Sequence, residues 1–158
     1  MMAGSHVVLG VAAWMIAAPH LGFSPYAPTG MAVAAGAALI PDVDHPNSWV
    51  GRRMRPVSSQ LARLLGHRGA THSLLAIVGC LWLLASHGLP RSILAPVSVG
   101  YLSHLAADML TPGGLRLAWP LRGTWSLPLC RTGSWAEPVI VVGLLGGAWW
   151  LNGVSRLF

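Results

Sequence analysis

The sequence predicts an all-α fold: a polytopic membrane helical bundle of about four to five short helices with two interfacial loops. Three observations carry that expectation. Charged residues make up 9% of the chain, against about 25% in a soluble domain. The hydrophobic fraction is 54% and the mean hydropathy is +0.59. The apolar residues fall in runs separated by Pro, Gly and Arg, which punctuate helices. With 158 residues, residues 1–158 have room for one domain and one core, so any site must draw on the whole chain.

The elements follow in order. No Asp, Glu or Arg occurs from Met1 to Pro41, and Pro19, Pro25 and Pro28 interrupt that stretch, so it reads as two apolar helices over 7–18 and 29–40. Residues 42–68 carry five Arg and two Asp and read as an interfacial loop, with a short helix around 58–65. A third apolar run covers 73–86 and a fourth helix 93–110, which Thr111-Pro112-Gly113-Gly114 stops. Residues 115–137 mix Trp, Pro and Arg as a second interfacial loop with an aromatic belt, before a last apolar run over 139–151. Several runs are shorter than the about 20 residues of an ordinary span, so tilted or re-entrant segments are expected among them.

Charge supplies a topology. All ten basic residues are Arg, and eight of them lie in the two large loops. With five crossings, the positive-inside rule puts both loops in the cytoplasm. The same high pI could suit nucleic acid, but Trp119, Arg122, Trp125 and Arg131 read better as an aromatic belt than as a stacking platform, so nucleic acid is not an expected partner. Cys80 and Cys130 form no metal-binding spacing and read as small buried residues.

The polar residues segregate. His6 opens the first helix; Asp42, Asp44 and His45 close the second; His67 and His72 precede the third. His104 and Asp108 end the fourth, and Glu137 begins the fifth. All four carboxylates and five of the seven His thus fall at one end of the bundle, while His20 and His87 fall at the other as bystanders. His104 and Asp108, four apart, share a helical face and can hold one ion together. Asp42-Val43-Asp44-His45 adds two carboxylates and an imidazole just past a helix end. Each part has a plainer explanation: a His/Asp hydrogen bond, a turn stabilised by Asp, Thr71 as a helix cap, Glu137 as a helix N-terminal charge. Together they supply ligands for one or two divalent ions, zinc first and manganese second, with His6, Asp42, Asp44, His45, His67, His72, His104 and Asp108 as the candidate set. Such a centre fits metal-assisted hydrolysis. Glu137 and Thr71 are then candidates for work at the reacting atoms, and Arg68, with Arg52 or Arg53, for stabilising an anionic transition state.

At these residues the chain resembles the YdjM-like family of bacterial inner-membrane proteins, described as metal-dependent hydrolases. The resemblance rests on Leu39-Ile40-Pro41-Asp42-Val43-Asp44-His45-Pro46 and on His67-Arg68-Gly69-Ala70-Thr71-His72-Ser73. It continues through His104-x-x-x-Asp108-x-x-Thr111-x-x-Gly114 and Gly133-Ser134-x-x-Glu137. Where the family usually has Thr before its first His, this chain has Ser5. The resemblance implies a multi-pass protein of the bacterial inner membrane, in contact with membrane lipids. More remotely, His104-x-x-x-Asp108 followed by Pro112 is similar to a pattern in zinc-dependent phospholipase C and related single-strand nucleases, which implies a phosphoester, even a phospholipid, as substrate. The competing expectation is a non-enzymatic membrane protein whose polar network is structural or passes an ion.

Overall fold

The computed structural model describes residues 1–65 and 69–154. Among them are seven α-helices: α1 (Ala3–Ala17), α2 (Pro28–Ala37), α3 (Trp49–Arg53), α4 (Arg55–Leu65), α5 (Leu74–Ser86), α6 (Arg91–Met109) and α7 (Ala136–Val154). Short 3-10 turns occupy Pro41–Asp44 and Ala70–His72. Local chemistry sets several of the ends. Pro28 sits in the first turn of α2, where its missing N–H costs nothing. Ser48 caps α3 by accepting the Gly51 amide at 2.8 Å, and Ser73 caps α5 by accepting the Ala76 amide at 3.2 Å. Ser73, rather than Thr71, is therefore the cap of that helix, which leaves the Thr71 hydroxyl for other partners.

The bundle is built around α1, α2 and α6, with α7 against α1 and α5 against α6. Small residues let the three central helices approach closely. A Cβ on Gly10 or Gly100 would run into the Ala34 carbonyl, so neither helix could carry even Ala there without moving away from α2. Trp14 fills the space beside this seam with Ala18 and Ala34. Ile77, Tyr101, Leu105 and Leu115 close the α5/α6 side. On the other side Asn152 of α7 donates to the Met15 and Ala148 carbonyls at 2.9 and 2.8 Å. The segment after α6 folds back over its C-terminal end: the Leu127 amide donates to Met109, and the Leu129 and Cys130 amides to Leu110. Carbonyls that a helix end leaves without intrahelical partners are thereby satisfied.

This architecture corrects the membrane expectation. Among the described residues no helix is long and apolar enough to cross a membrane. The helices α1, α2 and α5 have 15, 10 and 13 residues, or about 15–22 Å at 1.5 Å per residue, against a hydrocarbon core of about 30 Å. The two 19-residue helices are diluted by polar positions, α6 by Arg91, Ser98, His104 and Asp108 and α7 by Glu137 and Asn152. The apolar runs go instead partly into the shared core and partly onto outer faces, where Val78, Trp82, Val142 and Trp149 stay exposed. With no spanning helix among the described residues, the expected multi-pass topology, the assignment to a bacterial inner membrane with a cytoplasmic site, and the contact with membrane lipids are not borne out by the fold. The same holds for a membrane-bound hydrolase taking a phosphoester or phospholipid from the bilayer and for a membrane network that passes an ion.

Candidate metal centre

Four segments meet at one end of the central helices. His6 comes from the first turns of α1, Asp42 from the 3-10 turn after α2, His72 from the 3-10 turn before α5, and His104 and Asp108 from the last turns of α6. His6, His72, His104 and Asp108 are almost completely buried, and the Asp42 side chain is 18% exposed. Two overlapping groups, His6/His104/Asp108 and Asp42/His72/His104, bring one ligand atom per residue within 4.8 Å of the others.

The facing atoms are closely spaced. His72 Nε2 lies 3.3 Å from His104 Nε2. Asp108 Oδ2 is 3.8 Å from the first and 3.7 Å from the second, and Asp42 Oδ1 is 3.9 Å from each. The His104 proton lies on the far side. His104 Nδ1 is 2.7 Å from the Ala38 carbonyl; a carbonyl only accepts, so Nδ1 carries the proton and Nε2 is left as a lone pair. The His6 ring stacks on His104 with centroids 3.8 Å apart, and its Nε2 is 3.3 Å from Asp108 Oδ1. That same oxygen is 2.6 Å from the Met1 nitrogen.

Electrostatics follow from this crowding. Burial pushes His104 well below the usual imidazole range, His6 and His72 add to that effect, and Asp108 and the Ala38 carbonyl only partly offset it. Burial opposes ionisation of Asp108, but the hydrogen bond from His6 and the positive charge of the Met1 amine work against it, and the carboxyl is held far below the usual range. Burial raises Asp42; His6 works against that rise and Asp108 with it. The centre thus favours neutral imidazole at His104 beside ionised carboxylate at Asp108, the protonation states a divalent ion requires.

The other candidates take different places. Asp44 is fully buried behind the cluster, where its Oδ2 accepts the Thr71 hydroxyl at 2.5 Å. Thr71 Oγ is also 3.0 Å from His72 Nδ1. His45 accepts the Asn47 amide on Nδ1 at 3.2 Å and lines a cavity of about 370 Å³ together with Asp42, Asp108, Asn47, Trp49 and Arg52. Arg53 is turned to Trp49, stacking 3.6 Å from its ring and donating to its carbonyl. Glu137 is not brought to the cluster. Its Oε1 accepts the Met2 amide and its Oε2 the Gly133 amide, each at 2.7 Å. Burial raises its carboxyl, but hydrogen bonds from Ser5, Gly133 and Met2 outweigh that and lower it. His67 and Arg68 lie outside the described residues. Three residues that the sequence did not point to belong to the site: Met1, through its amine on Asp108, Ala38, through its carbonyl, and Tyr101, whose hydroxyl donates to the Thr71 carbonyl at 2.5 Å. Tyr101 precedes His104 by one helical turn, so the i, i+3 spacing was the available signal; a backbone carbonyl leaves none.

Fold and site together define an all-α protein with a buried His/Asp centre able to coordinate a divalent metal. The profile of the family described as YdjM inner membrane protein matches residues 1–158, and the chain belongs to that family. It is 42% identical over 120 residues to inner membrane protein YdjM of Escherichia coli (strain K12) and, equally, to that of Shigella flexneri; each match covers 72% of this chain and 61% of the relative. It is 34% identical over 143 residues to the uncharacterized protein YvsG of Bacillus subtilis (strain 168), covering 89% of this chain and 87% of that one. The chain spans about three-fifths of the length of the two YdjM relatives. No solved structure matches.

Proposed function

We propose that this protein is a metal-dependent hydrolase with one zinc ion held by His72, His104, Asp42 and Asp108. The spacing of those four donor atoms carries the reading. Four ligands at about 2.0–2.2 Å around a tetrahedral zinc stand roughly 3.3–3.6 Å apart. The five separations that involve His72 or His104 run from 3.3 to 3.9 Å, so a contraction of about 0.3 Å brings each of those pairs to the spacing of ligands on one ion. Two nitrogens and two oxygens suit zinc ahead of manganese, which prefers oxygen. His104 has a single lone pair to offer, so it serves one ion and cannot bridge two.

Four protein ligands alone would make a closed, structural site, so a catalytic ion here would need a further position for water, and the cavity beside Asp42 and Asp108 is where that position would lie. Asp42 and Asp108 both line the cavity, which lies on the carboxylate side of the centre. When bound, the ion would supply Lewis acidity toward substrate and water. Asp42, the most exposed of the four donors, takes the proton from water through the oxygen that does not face the histidines. Arg52, in the same cavity wall, stabilises negative charge that develops on the substrate. The test is turnover of a panel of chromogenic esters and amides by purified protein stripped with chelator and then reloaded. Activity that returns with zinc and is lost in Asp42→Asn, assayed at zinc concentrations that saturate its remaining ligands, supports the reading. Zinc-loaded protein that turns over none of the panel, or an Asp42→Asn variant as active as wild type, contradicts it.

A further inference from the structure

Asp44 and Thr71 have the residue types of a ligand and a catalytic hydroxyl, but neither is placed for that work. Asp44 is fully buried and its Oδ1 is 3.9 Å from His72 Nδ1, on the side of the ring away from the other ligands. Thr71 Oγ bridges that gap, 2.5 Å from Asp44 Oδ2 and 3.0 Å from His72 Nδ1. A hydroxyl has one proton to give. At the shorter contact it goes to the carboxylate, so Thr71 Oγ accepts at the longer one, and His72 Nδ1 must carry a proton. The Thr71 backbone is itself pinned, because the Tyr101 hydroxyl donates to its carbonyl.

We infer that Asp44 and Thr71 are a positioning pair that fixes the tautomer and ring orientation of His72, so that its Nε2 lone pair faces His104 and the ion. The inference rests on the metal reading above. It turns the usual pairing of a ligating histidine with an outer carboxylate into a chain with a hydroxyl between them. His104 reaches the same state by a different route, through the Ala38 carbonyl. With both Nδ1 atoms protonated, the facing Nε2 atoms, 3.3 Å apart, are both satisfied only by a cation held between them, a metal ion or a proton.

Two measurements on the full chain test this. In chelator-stripped protein, nitrogen-15 shifts of the His72 ring report the tautomer with no metal present. Wild type is expected to be protonated on Nδ1, Thr71→Val to lose that preference, and Thr71→Ser to keep it. A wild-type ring protonated on Nε2, or a Thr71→Val variant with the wild-type pattern, overturns the inference whether or not the protein binds metal. In cobalt titrations, Thr71→Val and Asp44→Asn are expected to weaken binding by about 10–100-fold with the shape of the visible absorption unchanged, because the donor atoms stay the same. An altered band in Asp44→Asn would make Asp44 a ligand and overturn its positioning role. A wild-type protein that binds no cobalt while keeping the Nδ1 tautomer would instead overturn the metal reading, and with it the purpose assigned to the pair. Far-ultraviolet circular dichroism identifies any variant that fails to fold, and Thr71→Ser then carries the comparison with Asp44→Asn.

Discussion

His72 Nε2 stands 3.3 Å from His104 Nε2 although the residues are 32 apart in sequence. With the His104 proton committed to Ala38, the ring offers only a lone pair to this contact. Burial keeps that ring neutral in the folded state, whereas an unfolded His titrates near 6.5. Below about pH 6.5 the unfolded chain therefore binds more protons at this residue than the native one, so stability falls as pH falls and is restored as pH rises. The unfolding midpoint of metal-free protein should drop between about pH 7.5 and 5.5, and His104→Gln should flatten the profile. A His104→Gln profile parallel to wild type would show that the charge balance lies elsewhere.

Gly100 decides how closely α6 approaches α2. Because an added Cβ meets the Ala34 carbonyl, Gly100→Ala should cost about 1–3 kcal/mol by overpacking. The shift also moves α6, which carries His104 and Asp108, against the chain that carries Ala38 and Asp42. Thermal unfolding should therefore fall together with zinc affinity. Gly143→Ala, where nothing lies within 4 Å of the new Cβ, should leave zinc affinity unchanged and raise stability by about 0.5–1 kcal/mol, because it replaces a glycine inside a helix.

Glu137 fastens the start of α1 to the start of α7 through the Met2 and Gly133 amides. Removing its charge should destabilise the protein by about 1–3 kcal/mol and loosen the placement of His6. Glu137→Gln is expected to lower the unfolding midpoint while keeping metal stoichiometry at saturation. Unaltered stability with abolished turnover would instead put Glu137 at the reacting atoms.

How much of this was legible in the sequence depended on which physical signal each residue carries. His104 and Asp108 were readable because four residues on a helix share a face. Asp42 and Asp44 looked like two equivalent ligands, but the 3-10 turn over Pro41–Asp44 points residues two apart in different directions. One carboxylate enters the cluster and the other is buried behind it. His45 has a ligand's chemistry, and a backbone amide from Asn47 occupies its Nδ1, which no residue spacing encodes. The apolar runs gave most helices their approximate positions. Their hydropathy suggested spans because composition cannot separate an apolar segment that crosses a bilayer from one that packs on Gly10 and Gly100 across Ala34.

His20 and His87 serve as internal controls. Both are exposed, and neither belongs to the groups of potential ligands. Their replacement by Ala should leave metal content and affinity at wild-type values in the same titrations. Loss of metal from either variant would point to a centre assembled differently.

The central claim is that His72, His104, Asp42 and Asp108 hold one ion, and bound metal per chain tests it most directly. Protein purified without a His tag or added metal, with His104→Ala plus Asp108→Ala alongside, would be measured by elemental mass spectrometry before and after equilibration with zinc and manganese. The account predicts about one zinc per wild-type chain, preferred over manganese and absent from the double variant. A wild-type chain that holds no stoichiometric metal after reconstitution, or a double variant that binds as much as wild type, would contradict it.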